Sequence, residues 1–229
     1  TALGNEDAVT EYRVRQLIEE AISSSVLEGA RPTTREIARQ LVRENRTPAS
    51  RDERMIMNNR RVMRRIVEIR DENRPLVLDD VLELHRIIGE DMLDVADAAG
   101  RFRQPEHDVR VIDNEGTVWH TPPHAAGLRE RIEGLLRFAE NGESNVNGGF
   151  IHPVIRAIIV HFWVGFEHPF RDGNGRMARA LYYWVMLRHG YEMAEFLSIS
   201  GRIDRSPKAY YVAFAYTETD EGDLTYFIL

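Results

Sequence analysis

Twelve residues, HPFRDGNGRMAR (His168 to Arg179), bring together an imidazole, a carboxylate, two glycines and three arginines. They follow AIIVHFWVGF (Ala157 to Phe166), a run that is nearly pure core. Pro169 biases His168 away from helical dihedrals, so the preceding helix is predicted to end near Glu167 and His168 to sit on the loop leaving it. The next helix is predicted from Asn174. Gly173 and Gly175 leave the backbone uncovered there. The free N–H groups of a helix start, together with the positive end of its dipole, suit phosphate. Met177, Ala180, Leu181, Trp184 and Val185 form the core stripe of that helix. Arg176 and Arg179 lie beside the stripe and lean towards the N-terminus, so both guanidinium groups are expected over the loop, holding a polyphosphate. Asp172 would repel phosphate on its own; it makes sense as a ligand of Mg²⁺, which binds through one or two carboxylates plus phosphate oxygens. His168 is then the general base, its reference pKa lying near neutrality. The sum is phosphoryl or nucleotidyl transfer. Singly, each residue has a plainer reading: N-cap, turn glycine, surface charge, loop histidine. Their shared loop carries the chemistry. Zinc is disfavoured, because His152 and His161 fall on opposite helix faces and no H-E-x-x-H occurs.

The elements that must position this loop read as mostly helical. Val14, Leu17, Ile18, Ala21 and Ile22 mark one helix face, stopped by Gly29 and Pro32. TREIARQLVREN follows, with Thr33 and Glu36 at capping-box spacing. Ser50 and Glu53 repeat that spacing ahead of a longer helix towards Ile69. Another helix is expected from Asp79 to Leu93. VRVID and TVWH alternate around NEG (Asn114 to Gly116), which predicts a short β-hairpin. Helices resume after Pro122-Pro123 to about Glu140, pause at NGESNVNGG, and continue as Ile151 to Phe166, Asn174 to His189 and a last pair after Ser206. The arginines of residues 51–74 are interleaved with Asp52, Glu53, Glu68, Asp71 and Glu72, and read as a solvated face rather than a nucleic-acid site.

Length and composition bound the rest. With 229 residues the chain is long enough for a sizeable core. Its net charge of −7 argues against bound nucleic acid or an anionic membrane. The absence of cysteine excludes a disulfide scaffold, a thiolate zinc site and a cysteine nucleophile, and suits a cytoplasmic setting. Ala157 to Phe166 is about half of the roughly 20 residues that a membrane helix needs. No starting Met is present, and DLTYFIL ends inside an apolar pattern, so a fragment of a longer protein is expected.

The loop resembles the signature of the Fic domain family, HxFx(D/E)GNGRxxR, through His168, Phe170, Asp172, Gly173, Asn174, Gly175, Arg176 and Arg179. The resemblance extends to IHPVIRAIIVHFWVGFEHPF, to GRFRQPEHDVRVID…HTPP, which is similar to the family's substrate-positioning flap, and to Tyr210, Tyr211 and GDLTYF. It implies an all-α, Fic-type helical fold with a short β-hairpin flap and additional N-terminal helices: residues 1–78 carrying an inhibitory helix at about 9–29, and 79–229 as catalytic core. It implies transfer of AMP from ATP to a Ser, Thr or Tyr hydroxyl of a protein. His168 would be the base and Asp172 the Mg²⁺ ligand. Gly173, Asn174, Gly175 and Arg176 would form the anion hole, and Arg179 would touch the terminal phosphate. Val109, Arg110, Val111 and Ile112 would hold the target by strand addition. Tyr210 and Tyr211 would lie near adenine, although Thr217 to Asp220 stand where some relatives carry an Asn. Gly175 stands where kinase-like relatives carry lysine.

SSSVLEG is similar to the family's inhibitory motif, (S/T)xxxE(G/N), at Ser24, Glu28 and Gly29. At about 100° per residue, Glu28 falls inside the apolar stripe of its helix and Ser24 on its edge. A carboxylate facing the core needs a partner, and Arg179 is the expected one. The expectation is therefore a cytoplasmic, Mg²⁺- and ATP-using protein adenylyltransferase, held back by its own helix, acting on a protein target and on itself, with a homodimer in keeping with the family. Two rivals are an enzyme that removes AMP with the same site, and a nucleotide-sensing interaction module without transfer.

Overall fold

The computed structural model describes residues 6–31, 35–92, 98–112, 116–141 and 149–229. The all-α expectation holds: among these residues helices dominate, and the only sheet is a two-stranded hairpin. Helix α1 spans Glu6–Leu27 and stops at Gly29, whose φ of +90° suits glycine. Helix α2 spans Arg35–Glu44; the expected Thr33 cap lies outside the described residues. Helix α3, Arg51–Asp71, begins as its sequence foretold. Ser50 Oγ accepts from Glu53 N at 3.1 Å, while the Glu53 carboxylate reaches back to Ala49 N at 2.6 Å, one residue before the cap. Its arginines are largely paired: Arg65 with Glu72 and Glu83, Arg64 with Glu68, Arg70 with Asp71.

Helix α4 covers Leu78–Gly89 rather than running to Leu93. The chain turns at Asp91, φ +53°, and Leu93 lies outside the described residues. Strands β1 (Val111–Ile112) and β2 (Val118–His120) pair antiparallel, with Val111 opposite His120 and Ile112 opposite Val118. The strand is shorter than predicted, since Val109 and Arg110 fall outside it; Asn114 of the turn lies outside the described residues. Helix α5, Leu128–Asn141, starts several residues after the proline pair, and 142–148 of the following loop lie outside the described residues. Helix α6, Pro153–Glu167, and helix α7, Asn174–Arg188, are the most closely packed pair. A 3-10 turn at Glu192–Phe196 and a short helix α8, Ile199–Arg205, were not foreseen; they precede the expected last pair, α9 (Pro207–Thr219) and α10 (Thr225–Ile228).

The main core joins α3, α4, α5, α6 and α7 around Phe170, Met177, Trp184 and Ile66. A smaller cluster ties α1 to α2 and α3 through Ile18, Ile22, Leu41 and Ile56. Helix α1 is also held by a buried carboxylate. Glu20 accepts from Ser198 Oγ at 2.8 Å, from Ser200 N at 3.1 Å and from the Ser200 hydroxyl, all at the start of α8. Since a buried carboxylate is costly without donors, this contact fixes how α1 lies across α7 and α8. No helix among the described residues is long and apolar enough to cross a membrane.

Candidate active site

The loop between α6 and α7 is shaped by three backbone events. His168 takes a left-handed conformation (φ 44°, ψ 58°) directly before Pro169, which ends α6. Gly173, φ +81°, is the N-cap of α7 and offers no side-chain cap, so the first N–H groups of α7 open onto the loop. A Cβ on Gly173 would lie 2.7 Å from Ile88 Cγ2, so glycine is required by space as well as by φ. Asn174 closes the loop from within: its Oδ1 accepts from Phe170 N and its Nδ2 donates to Phe170 O, both at 2.9 Å. The fully buried Phe170 ring stacks on His85, with centroids 3.6 Å apart. His85 donates through Nε2 to Asp172 O and accepts at Nδ1 from Gly100 N, each at 2.9 Å. That bonding requires the neutral ring. Burial accordingly brings its pKa down to about 4, against the opposing pull of the Asp172 carbonyl.

A cavity of about 360 Å³ opens above the start of α7, and most of the predicted site residues line it. His168, Asp172, Gly173, Asn174, Gly175 and Arg179 come from the loop and α7, and Glu28 from just past α1. Val109, Arg110, Val111 and Ile112 come from the flap, and Tyr210 and Tyr211 from α9. His168 donates from Nδ1 to Gly165 O at 3.0 Å, which leaves Nε2 as the lone-pair nitrogen of the neutral ring. Burial, abetted by His120 and Arg103 and opposed by the Gly165 bond and Glu28, holds its pKa below the usual histidine value. Such a ring can accept a proton at neutral pH. Asp172 is 48 % exposed at the rim and accepts from Gly173 N at 2.5 Å.

Arg179 is buried and does not reach freely into the cavity. It donates from Nε to Ser24 Oγ (2.8 Å), and from Nη2 to Ser24 O (3.1 Å) and to Glu28 Oε1 (2.9 Å). The expected pairing is thus present, although Glu28 sits in the turn just past α1 rather than on the helix face predicted for it. Burial alone would raise the pKa of Glu28, but the charges of Arg179 and Arg176 outweigh it and hold the carboxyl low and ionised. The carboxylate lies so close over Gly175 that any Cβ there would collide with it. Ser24 stands behind the guanidinium, and Gly29 only ends the helix.

Arg176 departs from expectation. Its guanidinium is 1 % exposed, donates to Ile88 O on α4 at 3.3 Å and lies 3.7 Å from Asp172, away from the cavity. Three positions of a helix are about 300°, and the remaining 60° sends Arg179 to α1 and Arg176 to α4. Only the Arg176 backbone remains available at the helix start. Tyr210 is bonded through its hydroxyl to His161 Nε2 at 2.8 Å and so turns its ring to the cavity; Tyr211 is more exposed. Sequence reasoning passed over His85, Arg103, Trp119, His120, Phe214 and Glu218. The last four line the cavity or pack against it, and the signal for His120 was its place in TVWH, next to the prolines.

An all-α scaffold that aims an uncapped helix start, an imidazole, a carboxylate and an arginine at one cavity beside a hairpin has the make-up of an anion-handling site. Residues 75–186 match the Fic/DOC family. The chain is 34 % identical over 122 residues to protein adenylyltransferase fic-1 of Caenorhabditis elegans, covering 52 % of this chain and 21 % of that one. With protein adenylyltransferase Fic of Drosophila virilis it shares 32 % over 154 residues, 67 % and 27 % of the two chains. Among solved structures, a Fic family protein from Desulfovibrio desulfuricans superposes with a TM-score of 0.76 at 25 % identity, over 94 % of this chain and 61 % of that one. A Fic domain containing signaling protein from Bacteroides thetaiotaomicron gives 0.77 at 21 %, over 98 % and 84 %. This chain carries a Fic/DOC family segment at residues 75–186. It spans about a quarter of the length of the curated relatives it matches.

Proposed function

We propose that the chain is an adenylyltransferase that moves AMP from ATP to a hydroxyl side chain of a protein, and that Glu28 holds it inactive. The observation that carries the reading is the placement of His168. Its Nδ1 is occupied by Gly165 O, and the ring lines the cavity that the start of α7 opens into. The relatives named for protein adenylylation favour AMP as the group moved. In this reaction the target oxygen attacks the α-phosphorus, an O–P bond forms, and the bond to the bridging oxygen of pyrophosphate breaks. The hydroxyl proton passes to His168 Nε2 and pyrophosphate leaves. Backbone N–H groups of Asn174, Gly175 and Arg176 hold phosphate oxygens, joined by that of Gly173 once Asp172 releases it. Arg179 takes the terminal phosphate once Glu28 lets go, and Tyr210 and Tyr211 flank adenine.

Asp172 suits Mg²⁺. Among the described residues no cluster of three acidic or histidine side chains could cage a metal, but one half-exposed carboxylate beside phosphate oxygens is a donor set that Mg²⁺ accepts. Bound there, the ion would neutralise phosphate charge. The β1 backbone supplies an edge for an extended target segment. Residues 1–78 serve as the regulatory part and 79–229 as the catalytic core, in a compartment that supplies ATP, as the cytoplasm does. The chain itself is among the targets, and a homodimer fits the family.

The test uses Glu28→Gly with protein lysate, Mg²⁺ and ATP labelled at the α- or the γ-phosphate. Label should enter protein from the α-position only and vanish with His168→Ala added. Transfer of γ-label would make the enzyme a kinase; nucleotide binding without any transfer would leave a sensing module. Removal of AMP is a second reading, favoured by Glu28 and His168 facing one cavity, where the carboxylate could orient water. Release of AMP from a modified protein by wild type, and not by Glu28→Gly, would establish it.

A further inference from the structure

The C-terminal end of a helix leaves its last four carbonyls without intrahelical donors. Around the end of α6, five consecutive carbonyls are each met from outside the helix ladder. Gly165 O accepts from His168 Nδ1 at 3.0 Å. Phe166 O accepts from His120 Nε2 at 2.7 Å. Glu167 O and His168 O accept from Arg103 Nη2 at 3.2 Å and Nε at 2.8 Å, and Pro169 O from Arg103 N at 2.9 Å. One donor is the ring proposed as base. The other four come from two residues that bracket the flap, Arg103 ahead of β1 and His120 at the end of β2.

The pairing of β1 with β2 contributes little of its own to holding the flap. A lone two-stranded hairpin is marginal in water, and its side chains Ile112, Val118 and Trp119 are exposed. His120 and Arg103, by contrast, are buried. Arg103 also donates to Pro123 O just beyond β2, which closes the base of the flap. On its far side His120 Nδ1 lies 2.7 Å from Glu218 Oε1 on α9, an ion-pair distance, although the hydrogen-bond angle is not met. Its ring centroid is 6.4 Å from that of His168.

We infer that His120, with Arg103, is a positioning residue that hangs the flap from the same row of carbonyls that orients His168. Target strand and base are then set by one piece of backbone. Neither residue touches the reacting atoms; both act through Phe166 to Pro169. The kinetic consequence rests on the adenylyltransferase reading, whereas the mechanical one does not.

The test compares His120→Ala and His120→Gln in the Glu28→Gly background; the glutamine amide keeps a donor that can reach Phe166 O. Amide hydrogen exchange is followed in 109–120 and in α7, alongside ATP affinity and the kcat and KM for a protein target. His120→Ala should speed flap exchange at least about tenfold, leave α7 protected, and keep ATP affinity within about twofold. A displacement of about 1 Å costs on the order of 10²-fold in rate. Target kcat/KM should therefore fall about 10- to 100-fold, mostly through KM, and His120→Gln should recover most of both losses. Unchanged flap exchange, equal losses in both variants, or faster exchange throughout the chain would each overturn the inference. If the parent variant transfers no AMP while His120→Ala still loosens the flap, the adenylyltransferase reading falls and the anchor stands.

Discussion

Replacing Glu28 by glycine tests the pairing at the centre of the site. The residue sits in the turn after Leu27, with its amide donating to Ser25 O at 3.1 Å, so the helix-interior glycine penalty of about 1 kcal/mol does not apply in full. What is lost is the 2.9 Å contact to Arg179 Nη2. Breaking a fully buried ion pair costs about 3–5 kcal/mol. Here Glu28 remains 22 % exposed towards the cavity, and Arg179 keeps Ser24 Oγ and O, so the expected loss is smaller. The gain is in rate. With the carboxylate lying over Gly175 and holding Arg179, the proposed reading has a nucleotide enter with its phosphates displaced, and about 1 Å of displacement costs on the order of 10²-fold. Glu28→Gly should thus raise AMP transfer, to itself and to a target, by about 10²-fold. ATP affinity should change by less, because the backbone cradle is unaltered. The assay sets wild type, Glu28→Gly and Glu28→Gly/Arg179→Ala side by side with α-labelled ATP and a calorimetric ATP titration. If the single variant is no faster than wild type, autoinhibition is refuted. If the double variant is as fast as the single, Arg179 is not the contested group.

His168→Ala should lower transfer by about 10²–10⁴-fold with ATP binding nearly intact, since a base acts on the transition state; near-full turnover in a single-turnover assay would remove that role. Asp172→Ala should abolish both activity and the response to Mg²⁺ titration, and a normal Mg²⁺ response would place the ion elsewhere. Acid should destabilise the fold early. His161 and His85 are buried, and burial lowers their pKa values to about 3 and about 4. The unfolded chain then binds protons that the folded chain does not. Stability is full above about pH 6.5 and falls, by up to roughly 1.4 kcal/mol per pH unit for each residue, as pH drops towards those values. Denaturant midpoints that stay flat between pH 7 and 5 would contradict this.

The loop was legible because its backbone dictates it. Pro169 ends α6, and Gly173 and Gly175 uncover α7, all within a dozen residues. The Glu28–Arg179 contact spans far more of the chain; the resemblance of SSSVLEG to the family's inhibitory motif pointed to Glu28, and helix-face arithmetic supported it although Glu28 proves to lie in the turn just past α1. Other features escaped for equally physical reasons. Arg176 and Arg179 share a helical lean, but the rotation between them was underweighted, so Arg176 was placed over phosphate when Ile88 O claims it. The roles of His85, Arg103 and His120 depend on carbonyls 46 to 87 positions away, and an acceptor that every residue carries leaves no mark in sequence. The end of α4 at Gly89 was missed because the apolar pattern runs on past it into Met92, which is buried from a turn rather than a helix.

Arg179 makes one demand in two states. A guanidinium that is only 5 % exposed needs acceptors whether or not a nucleotide is present. Ser24 supplies two, at Nε and at one N–H of Nη2, leaving the other Nη2 N–H to an anion. In the structure that anion comes from the turn after α1, whose position is fixed upstream by Glu20 and the start of α8. In the proposed reaction it is the terminal phosphate. On the proposed reading the resting contact and the working contact are alternatives at one N–H of Nη2, so the buried cation would be satisfied by the same act that closes the site. On the proposed reading the acid just past α1 serves both states: a neutral residue there would leave Arg179 short of a partner until ATP arrived, and transfer without a brake.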